Sequence, residues 1–86
     1  MAPPEKTKEE RLKETLTILK QLLDLGISKE DGSYLLVKEQ FDEWIKTGNS
    51  WSGSIHFPRH GRRADIDLPK NSNKAATLNF KVIRQH

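Results

Sequence analysis

At 86 residues, with no cysteine and its single methionine at position 1, the chain has room for one modest core, and neither disulfides nor thiolate metal sites can hold that core together. Apolar runs are short, as in Leu35-Leu36-Val37, which leaves no membrane-spanning helix or signal peptide and leads us to expect an intracellular protein, cytoplasmic, nuclear or virus-encoded. The net charge of +3 is unevenly laid: residues 1–47 hold 8 Lys and Arg against 10 Asp and Glu, and residues 48–86 hold 7 against 2. A basic second half suits nucleic acid or an acidic protein surface, although such charge also serves solubility.

Residues 1–6 have two prolines and no apolar period, so they read as a disordered tail ahead of a single α+β domain over 7–84. Thr7 and Glu10 fit a capping box that opens a helix. Leu12, Leu16, Leu19 and Leu23 then recur at helical spacing, with Ile18, Leu22 and Leu25 widening the stripe, until Gly26 ends the helix as a left-handed cap with Ile27 against Leu22. The turn over 28–33 offers Ser28, Asp31 and Ser33 as starts of a second helix. Ser33 is preferred, because the stripe Tyr34, Val37, Phe41, Trp44 and Ile45 follows it and stops at Gly48. A short strand over 34–37 is the competing reading, and two helices with a short link form an α-hairpin.

From residue 51 the period changes to two. With His60-Gly61 as a two-residue turn, Phe57 pairs with Ala64, Ile55 with Ile66 and Gly53 with Leu68, which puts the apolar residues on one face. Leu78, Phe80 and Val82 alternate as a third strand, with Leu78 opposite Leu68, Phe80 opposite Ile66 and Val82 opposite Ala64; a helix over 74–84 is the rival. The expected fold is therefore a two-layer α+β domain, an N-terminal α-hairpin packed on a three-stranded antiparallel β-meander in the order ααβββ. Leu16, Leu19, Phe41, Ile55, Ile66 and Phe80 should be buried between the layers.

This register places His56 across from Asp65 and Asp65 across from Lys81. A general acid/base pair is one reading of that row, with Lys81 or Arg63 steadying an oxyanion, and a cross-strand ion-pair ladder on a wet face is the plainer one. His56, His60, Asp65 and Asp67 do not converge as metal ligands should, so no metal or cofactor is expected. Trp51 shares the parity of Ile55 and Phe57 and belongs with the core before it belongs to a base-stacking surface. Trp44 suits the core edge or a partner anchor.

The candidate binding surface is basic: Arg59, His60, Arg62 and Arg63 at the hairpin tip, supplemented by Lys70, Lys74, Lys81 and Arg84. A hairpin tip of this kind can reach phosphates as β-ribbon readers do. The leading expectation is a non-catalytic binding module contacting nucleic-acid phosphates, DNA or RNA. The alternatives are a protein-interaction module or small inhibitor docking an acidic surface through the same hairpin, and, ranked last, a small RNase-like enzyme. A winged-helix arrangement with residues 53–68 as wing lacks a basic recognition helix, since Glu39, Asp42 and Glu43 fall there.

Overall fold

A computed structural model describes residues 6–70 and 74–83. The elements run α1 (Lys8–Asp24), α2 (Gly32–Thr47), β1 (Trp51–Phe57), a 3-10 turn (Pro58–His60), β2 (Arg62–Leu68) and β3 (Thr77–Val82). The strands form one antiparallel sheet in the order β1-β2-β3, with the two helices packed on one face. This is the expected α-hairpin on a three-stranded meander, with a strand rather than a helix in the last third and a helix rather than a strand at Tyr34.

Thr7 caps α1 by accepting the Glu10 N–H at 3.2 Å. The helix ends in a Schellman turn. Gly26, at φ +88°, donates its N–H to Leu23, and Ile27 donates to Leu22 at 3.1 Å. Asp31, not Ser33, begins α2: its carboxylate accepts the Ser33 N–H at 2.8 Å, and the left-handed Gly48 closes the other end. An aspartate outranks serine here because its charge also meets the positive end of the helix. Lys6, expected in the tail, is anchored instead by an ion pair with Glu14 at 2.8 Å and lies 5.8 Å from the Trp44 ring centre. The rest of the expected tail, residues 1–5, lies outside the described residues.

The core is built from Ile18, Leu19 and Leu22 of α1, Ile27, Tyr34, Val37, Phe41 and Trp44 of the α2 region, and Ile55, Phe57, Ala64, Ile66 and Leu68 of the sheet. Two of the six expected core positions, Leu16 and Phe80, depart from expectation. Leu16 is 57% exposed and Leu12 is exposed too, because α1 turns Arg11, Thr15, Ile18 and Leu22 inward and leaves the outer edge of the leucine stripe in solvent. Phe80 is only partly buried and meets Phe57 edge-on at 5.6 Å.

The register differs from expectation by two residues at both ladders. Phe57 pairs with Arg62, Ile55 with Ala64, Gly53 with Ile66 and Trp51 with Leu68; Leu78 pairs with Ile66, Phe80 with Ala64 and Val82 with Arg62. The tighter turn would set Arg59 directly opposite Arg62, like charge against like, and the four-residue loop takes Arg59 out of the pairing. Pro58 instead opens the 3-10 turn, and Gly61, at φ +60°, reverses the chain. Because the slip is two residues, every side chain keeps its face.

Candidate functional site

The helices cover one face of the sheet, and the other is wholly polar. Three cross-strand rows make it up: Ser52, Asp67 and Thr77; Ser54, Asp65 and Asn79; His56, Arg63 and Lys81. Neighbouring strands lie about 4.8 Å apart, so the last row sets two permanent cations and an imidazole side by side next to the hairpin tip. Each residue is on this face because the alternation in β1, β2 and β3 sends Ile55, Phe57, Ala64 and Ile66 to the opposite, buried one.

Asp65 organises the cations. It accepts the Ser54 hydroxyl at 2.7 Å and pairs with Arg63 Nε at 3.0 Å and Lys81 Nζ at 3.3 Å. The Ser54 hydrogen bond above all holds its carboxyl below the usual carboxylate range; desolvation opposes it, and Lys81 and Arg63 each add a lesser lowering. One carboxylate thus orders two cations without neutralising both. Lys81 is brought to Asp65 as expected, but diagonally, from the row of Arg63 rather than from directly opposite. His56 is not opposite Asp65. It faces Arg63, while Asp65 faces Ser54, so the expected pairing of the imidazole with that carboxylate across the strands is replaced; the His56 backbone carbonyl accepts the Ser33 hydroxyl at 2.6 Å.

The other expected site residues divide by position. Arg59 is exposed in the 3-10 turn, and His60 beside it lies 3.9 Å from the Asp31 carboxylate that caps α2. Arg62 begins β2 on the helix-side parity, opposite Phe57 and Val82, so it rims the tip rather than joining the outer face. Lys70 follows the far end of β2, and Lys74 precedes β3 at that same end, about 20 Å from the tip along seven-residue strands. They form no part of the tip cluster. Arg84 lies outside the described residues. Gly61 also accepts the Ile83 N–H at 2.8 Å, which pins the end of β3 to the turn.

Trp51 folds its ring over Gly53, where an added Cβ would come within 2.9 Å of it, and Trp44 is buried with its indole N–H donated to the Pro69 carbonyl at 2.8 Å. Neither tryptophan is on the polar face. Among the described residues no three His, Asp or Glu side chains gather as a metal site, and no helix is long and apolar enough to cross a membrane. The row of His56, Arg63 and Lys81 escapes a sequence reading because it depends on the loop length; the proline at 58 was the available signal. No protein-family model matches the chain, and neither a curated protein nor a solved structure matches it.

Proposed function

We propose that this chain is a small non-catalytic binding module that contacts nucleic-acid phosphates through the tip end of its sheet. The observation that supports this reading is the row of His56, Arg63 and Lys81 on the uncovered face, continued by Arg59 and Arg62 at the turn. Arg63 engages Asp65 through Nε and, at 3.5 Å, Nη2, and a guanidinium carries five N–H donors, so donors remain for an external oxyanion. Cations already held in place lose less side-chain freedom on binding. The surrounding Ser54, Asn79 and Thr77 add hydrogen-bonding groups but no stacking surface, which fits backbone contact without strong base readout.

The test is a titration with single- and double-stranded DNA and RNA at two salt concentrations. Phosphate binding must weaken steeply with salt through counterion release. Failure to bind all four nucleic acids would overturn the reading and favour an acidic protein surface as the target of the same residues.

A further inference from the structure

The outer side of the α-hairpin carries a second surface, unrelated to the sheet. Leu16, Leu19 and Leu23 of α1 and Tyr34 and Leu35 of α2 line a groove of about 440 Å³. Leu16 is 57% exposed and Leu35 52%, although both sit in well-formed helices with polar neighbours. Exposed leucines at either side of one groove are the kind of apolar surface that a partner covers. The charges bordering it are of one sign: Lys20, Lys29 and Lys38 line the groove, and no acid does. Lys38 is paired with Asp42 at 2.8 Å, so Lys20 and Lys29 set the demand for a complementary charge.

We propose that this groove docks an amphipathic helix from a protein partner, with leucine-like anchors along one face and acidic residues on the flank that meets Lys20 and Lys29. Leu16, Leu19 and Leu23 span eight residues of α1, about 10 Å of helix rise, which accepts anchors spaced i, i+3 or i+4, and i+7 on the guest. A second copy of this chain fits the charge pattern poorly, since a symmetric pairing of the groove brings lysines against lysines.

Three stapled helical peptides with the same leucine spacing and flanks of Glu, Gln or Lys test this by fluorescence anisotropy against the whole chain. The Glu-flanked peptide is expected to bind about tenfold more tightly than the Lys-flanked one, with Gln between. In a Lys20→Glu, Lys29→Glu variant the order should invert. Leu16→Ser with Leu35→Ser should remove binding while circular dichroism stays unchanged, since both side chains are already half in water. Equal affinity for the three peptides, no binding by any, or binding that survives the leucine changes would overturn the proposal. So would sedimentation showing a dimer that the leucine changes dissolve, because the groove would then belong to a second copy.

Discussion

The Arg11 guanidinium donates twice to the Ile45 carbonyl, from Nε at 3.2 Å and Nη2 at 2.9 Å, across 34 residues of sequence. Ile45 lies in the last turn of α2, where carbonyls have no partner within the helix, and a cation there also meets the negative end of the helix. A third donor, Nη1, reaches the Lys6 carbonyl at 2.9 Å. Arg11 is only 6% exposed, so it is a buried strut joining the start of α1 to the end of α2. Arg11→Met keeps the apolar stem but leaves the Ile45 carbonyl unsatisfied, and should cost about 1–3 kcal/mol in urea denaturation. Arg11→Lys, which keeps the charge and loses the fork, should fall between. A methionine variant as stable as wild type would show that the strut contributes nothing.

A second prediction separates the two faces of α1 and α2. Phe41 is fully buried against Trp44 at 6.1 Å, and its truncation to Ala should cost about 3–5 kcal/mol. Leu16→Ala, at an exposed position of the same leucine-rich pattern, should stay within about 0.5 kcal/mol. Thermal melts of both variants decide it. Equal losses would mean that Leu16 is buried in solution.

These contrasts also explain which parts of the fold are legible in the residues. The sheet faces survive a two-residue error in register because alternation depends only on parity, so Ile55 and Ile66 are correctly buried although they are not partners. Loop length is a subtler quantity. It turns on Pro58 opening a 3-10 turn, for which its fixed φ is suited, while the adjoining His60-Gly61 pair suggests a tighter turn. In α1 the misleading residues are the polar ones that go inward: Thr15 satisfies its hydroxyl on the Arg11 carbonyl at 2.8 Å, and Arg11 satisfies itself on Ile45 and Lys6. Hydropathy cannot register a polar group that carries its own partner, so the stripe centres on Leu12 and Leu16 instead of on Arg11 and Thr15. Of the basic residues, the tip cluster was legible from local sequence, but the separation of Lys70 and Lys74 from it required knowing where each strand ends.

Asp65 yields a pH prediction. Its carboxyl is held low mainly by the Ser54 hydroxyl, so as pH falls the unfolded chain takes up that proton before the folded one does. The contribution of Asp65 to stability is therefore complete above the normal carboxylate range, about pH 4, and is lost as pH drops through the lower folded value. Ser54→Ala removes the largest cause and should move the Asp65 titration upward when followed by carboxyl chemical shifts. An unmoved titration would assign the effect to Arg63 and Lys81 alone.

The final prediction distinguishes the two ends of the sheet by their dependence on salt. If Arg59, Arg62, Arg63 and Lys81 contact phosphates, each neutralising change to Ala removes one displaced counterion and lowers the slope of log affinity against log salt by about 0.7 for single strands or 0.9 for duplex DNA. Lys70 and Lys74 carry the same charge but sit at the far end of the strands, so replacing them should weaken binding only slightly and leave the slope unchanged. Lys81→Ala has a further consequence, because it frees Asp65 to neutralise Arg63 more fully; its effect on affinity should exceed that of Arg59→Ala. Arg59 and Lys81 are exposed and Arg62 and Arg63 half-buried, so each variant should stay within about 1 kcal/mol of the wild-type stability, and its melt measured alongside isolates binding. Equal slope changes from both ends would spread the interface over the whole basic half and remove the special standing of the His56, Arg63 and Lys81 row.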